Sequence, residues 1–148
     1  MEIVVEEEYT DQSEDLLKQW LQQSKDKSHQ HNIKGKQYKK KHEMFGLPAT
    51  LLPIIYSPIS GLLSQQPGIE IANVTVLILS GVLTGVYAFF DFGRKAEQHF
   101  RYEALYSDLT TTIIVELTKK REIRIRADRF IEMIQSKIDG FASTEPLL

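Results

Sequence analysis

The chain offers few side chains of the types that bind metals or form covalent intermediates. It contains no cysteine, which excludes thiolate nucleophiles, thiolate metal sites and disulfides. Its histidines are His29, His31, His42 and His99. His29 and His31 are two positions apart, so on a helix their side chains point in different directions and cannot share an ion. We therefore predict no metal site and no cofactor.

His99 lies within the sequence AEQHFR, with Glu97 and Glu103 close by in the chain. For this histidine we predict a structural hydrogen bond inside a helical bundle. The sequence has no glycine-rich phosphate loop, no nucleophile elbow and no pair of carboxylates within its apolar segments. These observations predict a protein that is not an enzyme.

The net charge of −2 hides three oppositely charged blocks. Residues 1–15 carry seven acids and no base, residues 25–41 carry seven lysines against one aspartate, and residues 119–129 carry six bases against two acids. A polybasic stretch beside an apolar segment is typical of contact with anionic lipids, so we predict no nucleic-acid binding. We expect the acidic and basic blocks to contact partner proteins.

The centre of the chain is almost free of charge. From residue 44 to residue 90 the only charged residue is Glu70. Two apolar runs, each long enough to cross the roughly 30 Å hydrocarbon core of a bilayer, lie on either side of it. A buried hairpin in a water-soluble protein is the alternative, but the polar flanks could not cover so much apolar surface. We predict membrane spans at residues 44–65 and 71–92, joined by a loop at residues 66–70.

The first predicted span contains Pro48, Pro53 and Pro58. Proline removes a backbone hydrogen bond but is better tolerated in lipid than in water. We expect a kinked or partly irregular span, and a re-entrant loop remains open as an alternative.

Small and polar residues within the two runs suggest how the spans contact each other. Small residues allow close helix approach in membranes, and the predicted packing residues are Ala49, Ser57, Gly61, Gly81 and Gly85. The polar candidates are Tyr56, Asn73, Thr75, Ser80 and Thr84. We expect these polar groups to bond across the helices, with the lining of a pore as the alternative.

Basic residues lie on both outer sides of the apolar segment and are absent from the loop. The residues that set this pattern are Lys34, Lys36, Lys39, Lys40, Lys41, Arg94 and Lys95. The positive-inside rule then places both ends of the chain on the cytoplasmic side, or on the capsid-facing side of a membrane within a virion.

The flanks read as helices with apolar stripes. We predict an N-terminal amphipathic and basic helix at residues 13–43 and C-terminal helices within residues 93–140. A flexible acidic arm at residues 1–12 and a flexible tail at residues 141–148 complete the organisation. The predicted fold class is all-α, a membrane helical hairpin whose long flanking helices form a cytoplasmic-side bundle.

Two stretches, EDLLKQW at residues 14–20 and RKAEQHFRYEALYSDLTTTIIVEL at residues 94–117, resemble the SLATT-like two-transmembrane family. The likeness is strongest to the versions from large double-stranded DNA viruses. Its motif falls on Trp20, Glu97, His99, Tyr106, Leu109, Glu116 and Leu117. The three prolines of the first run depart from the regular helix expected of that family.

The resemblance implies a membrane protein without catalytic residues. Its viral members imply a structural component of the virion that anchors the inner membrane to overlying capsid proteins. Its bacterial members imply an oligomeric pore-forming effector. The expected partners are the lipid bilayer, capsid or other membrane-associated proteins, and further copies of the chain.

Overall fold

The computed structural model describes residues 9–148, and within them every regular element is helical. The helices are α1 (Asp11–Leu62), α2 (Ile69–Phe90), α3 (Phe92–Thr118) and α4 (Ala127–Ala142), with a 3-10 turn at Arg121–Ile123. The predicted all-α class is confirmed. The chain divides into two compact units. We call residues 9–34 with 98–148 the bundle, and residues 35–97 the hairpin unit.

The bundle packs the first part of α1 with α3 and α4 around an apolar core. Leu17, Leu109, Ile113 and Ile134 are fully buried in that core, together with Phe130. The spacing of the buried residues on α3 is the helical one that the sequence predicts. Burial of these side chains is the main term that stabilises the bundle.

The start of α1 corrects one predicted boundary. Residues 1–8 lie outside the described residues, but residues 9–12 are not part of a flexible arm. Tyr9 is buried in the bundle core, and α1 begins at Asp11. The Thr10 hydroxyl accepts the Ser13 backbone N–H at 3.1 Å, which is the N-cap interaction that satisfies an otherwise unpaired helix donor.

The last residues of the chain correct a second boundary. Residues 141–148 were expected to be a flexible tail, yet α4 continues to Ala142 and Glu145 lies against the bundle. Phe141 packs edge-on against Tyr106, with ring centroids 5.4 Å apart. A segment with these contacts is part of the bundle.

In the hairpin unit the second part of α1 and all of α2 form an antiparallel pair. Residues 63–68 connect the two helices, and Gly68 adopts the left-handed conformation at φ 86°, which glycine tolerates without steric cost. Both helices are long and apolar enough to cross a membrane. No residue of α2 is buried, and Leu77 and Phe89 are 73% and 83% exposed.

Several predicted boundaries within the hairpin unit change. The helix and the first span predicted at residues 13–43 and 44–65 are one continuous helix, α1, which includes all three prolines. Of the predicted kinked or partly irregular first span, the irregular part is therefore wrong, and the kink stays a prediction. Each proline removes one backbone donor, whereas the surrounding hydrogen bonds still hold the helix.

The second predicted span also ends earlier than expected. Asp91 takes a left-handed conformation at φ 44° and separates α2 from α3. Its carboxylate accepts the backbone N–H of Arg94 and forms an ion pair with the Arg94 side chain at 3.0 Å. The predicted C-terminal helical region is likewise divided, because the 3-10 turn lies between α3 and α4.

Candidate functional sites

A pair of buried histidines lies between α1 and α3 in the bundle. The Nδ1 atoms of His31 and His99 are 2.9 Å apart, and the two residues are 0% and 3% exposed. The predicted structural hydrogen bond of His99 is confirmed, and His31 is a partner in it. Two nitrogens at this distance share a single proton, because two N–H groups could not face each other so closely.

Glu145 connects this pair to the segment that follows α4. One carboxylate oxygen lies 2.8 Å from Nε2 of His31 and accepts a hydrogen bond from Nζ of Lys27 at 2.8 Å. The other oxygen accepts the Tyr106 hydroxyl at 3.0 Å. Nearby, the Tyr102 hydroxyl donates to the hydroxyl of Thr144. We call His31, His99, Glu145, Lys27 and Tyr106 the histidine cluster.

The electrostatics of the cluster follow from burial and from these bonds. Burial lowers the pKa of His99, and the neighbouring His31 and Lys34 lower it further. Burial raises the pKa of Glu145, but the hydrogen bonds from Lys27, His31 and Tyr106 outweigh that effect and hold the pKa below its usual value. Burial together with Glu145 raises the pKa of Tyr106. The carboxylate is therefore ionised at neutral pH.

This geometry does not suit a metal ion. The two ring nitrogens of His31 point to opposite sides, one toward His99 and the other toward Glu145. Both nitrogens of His31 therefore already have hydrogen-bond partners within the protein. Residues 9–148 contain no group of three potential ligands arranged around a common point. What the cluster can do chemically is hold a proton and fix the segment around Glu145.

Most residues of the predicted family motif belong to the bundle core. His99, Tyr106, Leu109 and Glu116 are buried, Trp20 and Leu117 are partly buried, and Glu97 is exposed. The motif thus marks packing and internal hydrogen bonding. Sequence reasoning found these residues but not their partners Lys27, His31 and Glu145, which lie far away in the chain.

A second polar network surrounds the 3-10 turn. Glu116 is buried, and its carboxylate accepts a hydrogen bond from the backbone N–H of Ile125. It also forms an ion pair with Lys119 at 2.7 Å. Arg124 donates to Glu14 at 2.6 Å and to the Leu117 carbonyl at 2.7 Å. These bonds fix the connection between α3 and α4.

Some charged residues of the acidic and basic blocks form ion pairs with each other within the chain. Arg121 pairs with Glu14 at 2.9 Å and with Asp11 at 3.1 Å. The hydrogen bonds from Arg121 and Arg124 lower the pKa of Glu14. These pairs form because the start of α1 and the 3-10 turn bring opposite charges together. Contact of the charged blocks with partner proteins stays a prediction.

Within the hairpin unit, polar side chains bond across the two helices. The Asn73 side-chain oxygen accepts the hydroxyls of Tyr56 at 2.9 Å and Ser60 at 2.7 Å. Thr75 instead donates to the Ile71 carbonyl of its own helix. The expected bonding across helices is confirmed for Tyr56 and Asn73.

The close contacts of the hairpin are not those predicted. A Cβ atom added at Gly61, Gly81 or Gly85 would meet nothing within 4 Å, so these glycines do not pack against the paired helix. The physical reason is that the faces which contain them point away from the helix interface. Ser57 is also exposed, whereas Ala49 is buried.

Two other glycines allow the helices to approach. A Cβ atom on Gly46 would lie 2.8 Å from Cε2 of Tyr87, and one on Gly93 would lie 2.9 Å from Nδ1 of His42. The rings of His42 and Tyr87 are themselves in contact, with centroids 5.2 Å apart. Both glycines lie at the edges of the apolar runs, whereas the predicted packing residues lie inside them.

Lysines and aromatic rings meet at the charged end of the hairpin. Phe92 stacks on Tyr38 and Phe45 at centroid distances of 6.5 and 5.8 Å. Lys41 and Lys95 place their ammonium groups 5.5 and 6.0 Å from the centroid of the Tyr38 ring. We call these five residues the lysine–aromatic cluster.

No protein-family model matches the chain, and neither a curated protein nor a solved structure matches it.

Proposed function

We propose that this chain is a non-enzymatic integral membrane protein that crosses a bilayer twice and holds a helical bundle at the membrane surface. The observation that carries the proposal is the apolar exterior of the hairpin unit. Large side chains such as Leu51, Ile54, Leu77 and Val82 are exposed on both helices. A contiguous apolar surface of this kind is stable only when lipid or another apolar surface covers it.

The charge distribution supports a single orientation. All 18 lysines and arginines lie outside the two apolar runs and outside residues 63–68. By the positive-inside rule, the bundle residues before and after the hairpin both belong on the cytoplasmic side, or on the capsid-facing side of a virion inner membrane. The continuous helicity of α1 across its prolines supports a full crossing rather than a re-entrant loop.

The bundle supports a structural role. Its histidine cluster and its second polar network fix the chain segments around the apolar core, so it presents a preorganised surface to a partner. Together with the resemblance to viral two-span proteins, this supports a virion component that anchors the inner membrane to capsid proteins.

A pore-forming effector is the alternative function. A pore would need polar side chains directed toward a water-filled path. In the hairpin unit, however, Tyr56 and Ser60 both donate to Asn73 of the facing helix. Because these polar groups satisfy each other, the anchor is better supported than the pore.

Two measurements test the proposal. The chain has no cysteine, so single cysteines at Ser64 and Ser143 can be labelled separately with a membrane-impermeant maleimide in sealed vesicles. The hairpin requires that the two positions react from opposite sides. Labelling of both from the same side would refute it. Ion leakage from liposomes that contain the protein, above the level of protein-free liposomes, would establish the pore instead.

A further inference from the structure

The lysine–aromatic cluster places two positive charges on one aromatic ring. Lys41 comes from α1 and Lys95 from α3, yet both ammonium groups lie within 6.0 Å of the Tyr38 centroid, and Lys41 is also 6.0 Å from that of Phe92. Attraction between a cation and the face of an aromatic ring favours these positions. The ring thus brings together two lysines from different helices.

Neither lysine has a carboxylate partner among residues 9–148. The ion pair formed close by, between Asp91 and Arg94, involves neither of them. Two positive charges close to one ring repel each other, and an anion bound near both would relieve this repulsion. The cluster therefore has the charge of an anion site.

The position of the cluster indicates which anion it would bind. Lys41 lies three residues before Met44, where the apolar run begins, and Lys95 lies five residues after Phe90, where the second run ends. Met44 and Phe90 are both exposed, and exposed apolar side chains continue along both helices. A ligand with an anionic head and apolar chains could contact both the lysines and the exposed apolar side chains beside them. A free anion would contact only the lysines.

We propose that Lys41, Lys95 and Tyr38 form a binding site for the phosphate group of an anionic phospholipid, whose acyl chains lie along the exposed faces of α1 and α2. This inference rests on the proposed membrane location and adds a lipid class to it. Lysines are attracted to anionic headgroups in general. The site differs from that general attraction because two lysines are held in place by one ring.

The test uses the full-length protein in a neutral detergent. Dioctanoyl phosphatidylglycerol is titrated against dioctanoyl phosphatidylcholine, and the thermal unfolding midpoint is followed by circular dichroism. We expect a saturable increase with phosphatidylglycerol and none with phosphatidylcholine. Lys41→Gln combined with Lys95→Gln should weaken the apparent affinity roughly 30-fold, because both lysines that contact the phosphate group are lost.

The matched control is Lys36→Gln combined with Lys39→Gln, which removes the same number of positive charges from the basic stretch that contains Lys41. It should retain most of the affinity, and Lys41→Arg with Lys95→Arg should retain it as well. Equal responses to the two lipids would overturn the proposal. So would equal losses in the two glutamine variants, which would indicate diffuse attraction, or an equal lysine-dependent response to inorganic phosphate, which would indicate a free-anion site.

Failure of this inference can be separated from failure of the proposed function. Labelling of a cysteine at Ser64 reports whether the hairpin crosses the bilayer, whichever lipid is present. If the hairpin crosses the bilayer but the protein shows no lipid selectivity, the proposed lipid site is refuted and the proposed membrane anchor is not. If the parent chain does not cross the bilayer, the proposed membrane anchor is refuted.

Discussion

Oε1 of Glu145 lies 2.8 Å from Nε2 of His31, a residue 114 positions earlier in the chain. The contact is almost fully shielded from water, since the His31 side chain is 0% and the Glu145 side chain 10% exposed. Hydrogen bonds to a charged group at a shielded position are stronger than those at the surface. This single carboxylate therefore holds the segment after α4 in the bundle.

Glu145→Gln is expected to destabilise the bundle. The amide keeps the shape of the side chain but leaves Lys27 without its ionic partner, at a cost of about 1–3 kcal/mol. Denaturant unfolding in detergent measures the loss, and limited proteolysis should show earlier cleavage after residue 142. Glu132→Gln, on an exposed position of α4, is the control. Equal stability of the two variants would contradict the assigned role.

The stability of the bundle is expected to fall as the pH is lowered. The pKa of His99 is lowered from 6.5 in the folded protein. The unfolded chain therefore binds more protons than the folded chain, and the free energy of unfolding decreases as the pH drops below about 6.5. The pKa of Glu145 is also lowered, from 4.5. Its contribution is present above that value and is lost as the pH falls through the folded pKa.

Unfolding midpoints measured between pH 7.5 and pH 4 test this direction. His99→Gln should flatten the upper part of the profile, whereas His29→Gln, at an exposed position, should leave the profile unchanged. A midpoint that rises on acidification would show that the histidine pair gains protons on folding, which is opposite to the present assignment.

Gly46→Ala is expected to disturb the packing of the hairpin. Its new Cβ would lie 2.8 Å from the Tyr87 ring, and the contact of that ring with His42 limits how far it can move. Overpacking costs about 1–3 kcal/mol, while the helix preference of alanine over glycine returns about 1 kcal/mol. Gly81→Ala is the matched control, because it gains the same preference and meets no neighbour.

In detergent, the thermal unfolding midpoint of Gly46→Ala should therefore be lower than that of the parent, and the midpoint of Gly81→Ala should be equal to it or higher. The reverse order would mean that the face of Gly81 is packed in the functional form, as it would be between two copies of the chain.

Asn73→Leu is expected to loosen the pairing of α1 and α2. The variant keeps the number and branching of the side-chain heavy atoms and removes the oxygen that accepts hydrogen bonds from Tyr56 and Ser60. Hydrogen bonds between membrane helices average about 0.6 kcal/mol each, so the expected loss is about 1 kcal/mol. Thr75→Val removes a hydroxyl that bonds only within α2 and should cost less. A cysteine crosslink between the helices, scored in detergent, provides the measurement.

The sequence predicts local features of this fold well. Apolar periodicity places Leu109, Ile113 and Ile134 in the core, and the absence of charge marks both helices of the hairpin. Each of these features depends on contacts within one or two helical turns.

Features that depend on distant partners could not be predicted. His31 and His99 are 68 positions apart, and nothing in the sequence around Glu145 distinguishes it from a solvated surface glutamate. The glycine prediction was wrong for a related reason. Small-residue spacing identifies which faces permit close approach, but the rotation of each helix decides which face is used.

The prolines of α1 give the two candidate membrane helices different mechanical properties. Pro48, Pro53 and Pro58 each remove one backbone hydrogen bond from α1, whereas α2 contains no proline. A helix bends most easily where such bonds are missing. In a bilayer that becomes thinner or thicker, α1 is therefore the compliant element that curves to match the new thickness, while α2 stays straight and responds by tilting.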